Sequence, residues 1–331
     1  MAKKKTNIKE TNPDRLIGQG VVVRNTGSAY TVRLDDGRTL NCRIKGNFRI
    51  KGIRTTNPVA VGDIVTVKEA ADDADFITDI CPRRNYIIRR ASNLSKESHI
   101  LAANIDQTLL VATIRDPHTT TTFIDRFLAT AEAYSIPAIL VLNKCDIWDD
   151  DDRELGEAMK TLYSSIGYPV SIVSATTGEG IDALKNILSC KTTLLAGNSG
   201  VGKSSLINAL VPDANLKVGG ISDIHHTGTH TTTFSEMIDL PGGGELIDIP
   251  GVKGFGTIDF KPTEVSHYFP EIFRTGRNCR YSDCRHTGEP GCAVADAVSD
   301  HYISESRYAS YLSILEETSE EEGSDKYRKP F

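Results

Sequence analysis

Two short segments carry residue types that could do chemistry on a nucleotide, and their order along the chain is unusual. Asn143-Lys144-Cys145-Asp146 comes first, and Gly197-Asn198-Ser199-Gly200-Val201-Gly202-Lys203-Ser204 follows. The second fits the pattern G-x-x-x-x-G-K-[ST], in which a glycine-rich loop lets backbone N–H groups surround phosphates that side chains would otherwise crowd. Gly197, Gly200 and Gly202 supply that room. Lys203 would reach the β- and γ-phosphates, and Ser204, with Ser205 behind it, would meet Mg²⁺. Ser204 to Leu210 reads as a helix whose positive end faces the anion.

Asp146 suits a guanine. A carboxylate accepts two hydrogen bonds from that base edge, N1–H and the exocyclic amine, and adenine offers no such pair. The other reading of Asp146 is a helix cap or turn residue. Ser174-Ala175 resembles the backbone contact to a guanine carbonyl. Thr229-His230-Thr231-Thr232-Thr233 reads as a switch loop, with Thr231 or Thr232 completing the Mg²⁺ shell. Asp248-Ile249-Pro250-Gly251 ends a strand, with Asp248 facing Mg²⁺ through water and the Gly251 amide meeting the γ-phosphate. Val252 stands where many GTPases carry the glutamine that orients the attacking water. Slow intrinsic hydrolysis, accelerated by a partner, is therefore expected. His230 is a candidate to orient water, against the plainer reading of an exposed imidazole.

Further on, Cys279-x4-Cys284-x-His286-x5-Cys292 gathers three cysteines and a histidine, with Gly288, Pro290 and Gly291 allowing the chain to turn. Three thiolates and one imidazole make a closed tetrahedral set, suited to structural Zn²⁺ and leaving no position for a catalytic water.

The elements that must position these groups follow from the patterning. Residues 1–14 are polar and read as a disordered basic tail. Short strands with turn signals run from Gly18 to about Ile80, at 20–24, 30–34, 38–44 and 63–68. They suit a small closed barrel, OB-fold or SH3-like. From about Asn104 strands and helices alternate: strands at 108–113, 138–142, 170–173 and 192–196, helices at 123–134 and 181–188. This predicts a mostly parallel sheet with covering helices. Asn143, Ser174 and Gly197 each follow a strand end, where ligands bind in such sheets, so one site could collect all three. The boundaries we expect are a barrel over 15–82, a nucleotide domain over 83–259 and a metal domain over 260–331, frayed from Glu316.

Composition is ordinary for a soluble globular protein. The 331 residues are 39% hydrophobic and 25% charged. No apolar run approaches a membrane span, and Met1 to Lys5 begins no secretory signal. Seven cysteines with one tight cluster fit a reducing compartment, so a cytoplasmic location is expected. Net charge is −6, yet residues 1–54 carry 13 Lys or Arg against four Asp or Glu. That basic start suggests an anionic partner, with RNA weighed against a merely solvated face. Lys45, Arg49, Lys51 and Arg54 form a candidate basic loop.

Taken together, the order NKCD, SA, GNSGVGKS, HTTT, DIPG and the C-x4-C-x-H-x5-C cluster resemble the RsgA family over about residues 15–310. The resemblance implies an OB-fold barrel, a circularly permuted Ras-like P-loop GTPase domain and a zinc-binding α domain. It implies GTP/GDP, Mg²⁺ and one structural Zn²⁺ as ligands. It also implies binding to the small ribosomal subunit and its rRNA late in maturation, hydrolysis stimulated by the subunit, and release afterwards. No membrane partner and a monomer are expected. The competing readings are a GTP-binding RNA scaffold or translation regulator without meaningful turnover, and a metabolic P-loop kinase, which NKCD disfavours.

Overall fold

The computed structural model describes residues 16–27, 29–44, 58–69, 75–90, 98–214, 235–249 and 260–326. The candidates His230, Thr231, Thr232 and Gly251, with Val252, the tail 1–14 and the basic loop residues Lys45, Arg49, Lys51 and Arg54, lie outside the described residues. Two compact units divide the chain: Met1–Asn104 with His230–Ile238, and Ile105–Thr229 with Asp239–Phe331.

The first unit is built on a five-stranded barrel. Its strands are β1 (Leu16–Asn25), β2 (Tyr30–Leu34), β3 (Thr39–Ile44), β4 (Ile64–Lys68) and β5 (Asp75–Ile80). β1 pairs antiparallel with both β2 and β4, β2 with β3, and β4 with β5, while β3 and β5 run parallel. The ring β1-β2-β3-β5-β4-β1 is the OB-fold order, which decides between the two barrels that composition allowed. Alternation supplies the core: Tyr30, Val32 and Leu34 of β2 point inward, to meet Val22, Cys42, Val65, Val67 and Ile77. At the barrel end Arg83 donates to both oxygens of the buried Asp63 at 2.6 Å and to Pro58 O at 2.7 Å. A hairpin follows, β6 (Tyr86–Arg90) against β7 (Ser98–Ala103), which the periodicity did not reveal. Ser235 and Glu236, in β12 (Ser235–Asp239), pair with the end of β1.

The second unit centres on a parallel sheet in the order β10-β9-β8-β11-β13. Its strands are β8 (Gln107–Ala112), β9 (Ala138–Leu142), β10 (Val170–Ile172), β11 (Thr192–Gly197) and β13 (Glu245–Asp248). β8 and β9 are buried at every position, as strands covered on both faces must be. The chain steps outward from β8 to β10, then returns to lay β11 on the other side of β8. The connections that leave β8 and β11 therefore part, which opens a crevice beyond their carboxyl ends.

Four helices cover this sheet: α1 (Thr121–Ala133), α2 (Asp150–Ile166), α3 (Ile181–Leu188) and α4 (Lys203–Leu210). Thr120 caps α1, and Asp149 with Asp152 forms a capping box on α2. Beyond it come α5 (Pro270–Gly276), α6 (Ala293–Ser299) and α7 (Glu305–Lys326). Phe269, Ile272, Val294, Ile303, Tyr311 and Ile314 share a core that also takes in Ala129 of α1. Arg307 of α7 is 1% exposed, pairing with Asp125 of α1 at 2.9 Å and Glu271 of α5 at 2.6 Å. Fraying from Glu316 is corrected here: α7 stays helical to Lys326. Its apolar residues pack on α1, and Arg126 of α1 pairs with Glu317 at 2.5 Å. No helix among the described residues is long and apolar enough to cross a membrane.

Candidate functional site

The glycine-rich loop leaves β11 at Gly197 and enters α4 at Lys203. Two of its glycines are required sterically. Gly197 has φ +146°, and a Cβ there would stand 2.3 Å from Val111 O of β8. Gly202, with φ +91°, would place a Cβ 2.5 Å from Asn143 Nδ2. The second contact joins the two segments that are 50-odd residues apart in sequence. Asn143, 1% exposed, donates from Nδ2 to Val201 O at 2.9 Å and accepts the Ala175 N–H on Oδ1 at 3.2 Å. A single amide thus ties the glycine-rich loop to both strand-end segments.

Asp146 accepts the Ser174 hydroxyl at 2.5 Å, and the same oxygen of Ser174 accepts the N–H groups of Thr176 and Thr177 at 3.2 and 3.1 Å. Ser174 is therefore an orienting side chain for Asp146, a role its sequence position did not suggest. Lys144, in a left-handed conformation at φ +68°, donates from Nζ to Asp116 O.

Lys203 Nζ donates to Gly197 O and Asn198 O, both at 2.7 Å. Burial pulls its pKa below the ordinary lysine value, and Asp248 opposes that shift. Asp248 lies opposite Leu195 in the β11–β13 register, which brings the strand-end carboxylate beside the glycine-rich loop. Asn198, Ser199, Gly200, Val201, Ser204 and Ser205 follow in the loop and the first turn of α4, with Val201 buried beneath it.

One contributor carried no motif. The connection after β8, residues 113–119, backs this site. Thr113 N donates to Thr119 Oγ1 at 3.1 Å, and the Thr113 hydroxyl donates to Pro117 O at 2.5 Å. Pro117 lies against Gly200, with its Cδ 3.3 Å from where a Cβ would sit. Its position at the switch between β8 and β11 is the signal that could have found it.

The four metal-type residues converge. Their ligand atoms all lie within 4.8 Å of one another. Cys279 Sγ and Cys292 Sγ stand 3.5 and 3.4 Å from His286 Nδ1, and 4.0 Å from each other. A tetrahedral Zn²⁺ with Zn–S about 2.3 Å and Zn–N about 2.0 Å requires S···N near 3.5 Å and S···S near 3.8 Å. The set fits that ion. Burial, with Cys292 and Cys279 adding to it, pushes the Cys284 thiol up to about 12; sulfurs so close together ionise beside a cation. The support is local. Burial works against a charge on Glu289, but the N–H groups of Arg285 and Thr287, at 2.8 and 2.7 Å, hold its carboxyl at about 2. The hydroxyls of Tyr308 and Tyr311, on α7, donate to His286 O and Arg285 O at 2.5 and 2.7 Å.

The chain matches the family model described as RsgA GTPase over residues 80–258, and that described as RsgA N-terminal domain over 19–77. A small ribosomal subunit biogenesis GTPase RsgA of Bacteroides fragilis is 57% identical over 313 residues, covering 95% of this chain and 100% of its own. One from Porphyromonas gingivalis is 59% identical, covering 94% and 99%. Among solved structures, YjeQ from Thermotoga maritima superposes with a TM-score of 0.74 at 33% identity, covering 91% of this chain and 98% of its own. YloQ, described as a circularly permuted GTPase, gives 0.71 at 28% identity, covering 98% and 100%. A barrel, a nucleotide-type sheet in permuted order and a Cys/His cluster are what these matches span, and the chain belongs to the RsgA GTPase family.

Proposed function

We propose that this protein is a GTP hydrolase that binds the small ribosomal subunit during its late maturation, is stimulated by it, and leaves once GTP has become GDP. The observation that carries the proposal is Asn143, whose amide holds the phosphate-type loop and the base-reading segments as one site. Asp146, oriented by Ser174, would accept the guanine N1–H and amine, and the Ala175 region would face the carbonyl. Lys144 would pack its stem along the nucleotide. The N–H groups of residues 198–204 and the Lys203 ammonium would receive the phosphates. Mg²⁺, held by Ser204, Asp248 and Thr231 or Thr232, would neutralise charge building between the β- and γ-phosphates. Gly251 would sense the γ-phosphate.

Cys279, Cys284, His286 and Cys292 would hold one structural Zn²⁺, which joins segments too short to fold alone. We further propose the working division into a barrel over 15–82 that meets rRNA phosphates, a GTPase domain over 83–259 and a zinc domain over 260–331. A cytoplasmic monomer fits that role. Val252 supports slow turnover without the partner, and His230 would orient water. His230→Ala with unchanged stimulated turnover would remove it from the mechanism.

Cosedimentation tests the partner. With a non-hydrolysable GTP analogue the protein should travel with small subunits and not large ones, and GDP should release it. Equal retention with either nucleotide would contradict a timed release.

A further inference from the structure

The connection after β8 holds the base-reading segment at one point and the start of α2 at two. Lys144 Nζ donates to Asp116 O. Arg115 pairs with Asp149 at 2.8 Å and Asp152 at 2.9 Å, the two carboxylates that also close the capping box on α2. Between these contacts sits Trp148, 7% exposed. A Cβ on Gly156 of α2 would stand 2.5 and 2.8 Å from Trp148 Cζ3 and Cη2, and 3.3 Å from Ile114 Cδ1. The indole thus occupies the space a side chain on α2 would take, with Ile114 packed against the same spot.

We infer that Trp148, seated on Gly156 and followed by Asp149, which Arg115 pairs, is a positioning residue that sets the guanine selectivity of Asp146. The inference rests on the GTPase reading above and deepens it. Asp146 is exposed, and Ser174 fixes one of its oxygens. The backbone that aims the carboxylate is held from the other side by the residue two positions on. A carboxylate takes N1–H and the amine together only when both oxygens lie in the base plane, so a small rotation loses the second bond before the first.

Trp148 is the sole tryptophan of the chain, so its emission reports this contact alone. The test measures dissociation constants for GDP and IDP on the full chain, since inosine lacks the amine. It compares the wild type with Gly156→Ala, Trp148→Phe and Arg115→Gln. Alanine is the better helix former, so without the indole Gly156→Ala would raise the melting midpoint. Here we expect red-shifted emission and a GDP-over-IDP preference reduced by about tenfold, the worth of one hydrogen bond to a charged acceptor. Trp148→Phe should reduce it in the same direction. Arg115→Gln, on a half-exposed side chain, keeps the core intact and should reduce it by about threefold. A preference within twofold of wild type in every variant that folds would overturn the inference, whatever the midpoints do. A wild-type protein with no preference for GDP over IDP would instead overturn the guanine reading beneath it.

Discussion

Asn143→Ala tests the architecture of the site at one atom group. The side chain is buried, and its removal strands two partners: Val201 O, which accepts Nδ2 at 2.9 Å, and the Ala175 N–H, which donates to Oδ1 at 3.2 Å. The two lost bonds cost about 1 kcal/mol each, and the buried Val201 carbonyl left unpaired adds up to about 2 kcal/mol, for ~2–4 kcal/mol in all. In a unit of this size that is a drop in melting midpoint of about 5–10 °C. Part of the loss should appear as binding, because the tie sets the glycine-rich loop relative to Asp146. We expect GDP affinity to fall by about ten- to a hundredfold. Calorimetric titration with GDP, beside thermal melts, reads both. Asn143→Asp keeps the acceptor for Ala175 but sets a carboxylate oxygen against the buried Val201 O, so it should cost at least as much as alanine. A melting drop with GDP affinity within twofold of wild type would refute the reasoning, since the amide would then be a core contact with no hold on the nucleotide.

Other expectations follow from named contacts. Gly202→Ala places a Cβ 2.5 Å from Asn143 Nδ2 at φ +91°, and GDP affinity should fall at least about tenfold by titration. Asp146→Asn replaces two acceptors with one acceptor and one donor, which suits xanthine; competition binding should show preference moving from guanine to xanthine nucleotides. Arg307→Met leaves Asp125 and Glu271 without their guanidinium, and urea denaturation should show a loss of about 3–5 kcal/mol. Cys292→Ser should abolish a one-to-one zinc content in anaerobically purified protein, read by metal analysis, and hydrogen exchange should rise through α5 to α7.

The strand ends that carry the candidate site were legible because they announce themselves. A buried apolar run followed by Asn143, Ser174 or Gly197 marks the carboxyl edge of a parallel sheet, and Asn143 bonds the segments that follow the other two strands, at Ala175 and Val201. The barrel strands were legible from alternation and their number suited closure, but the order in which they pair was not. β1 pairs with both β2 and β4, with register shifts between Val22 and Arg24 on one side and Leu16 and Gly18 on the other, which no local pattern encodes. The β6–β7 hairpin escaped because its strands are joined by polar residues without a tight-turn signal. The helical end of α7 escaped because its acidic surface reads as solvated, while the contacts that hold it, such as Arg126 to Glu317, span most of the chain. The buttress of Ile114, Arg115 and Trp148 has no motif. Only the fold brings the connection after β8 beside α2.

Multiple-turnover GTP hydrolysis tests whether this protein is a guanine nucleotide hydrolase timed by one ribosomal subunit. The purified protein is assayed alone, then with small subunits, large subunits and free rRNA. The account predicts slow turnover alone, because Val252 offers nothing to orient water, and strong stimulation by small subunits only. GTP binding with no stimulation by any of them would contradict it and leave an RNA-bound scaffold that holds GTP as a structural ligand.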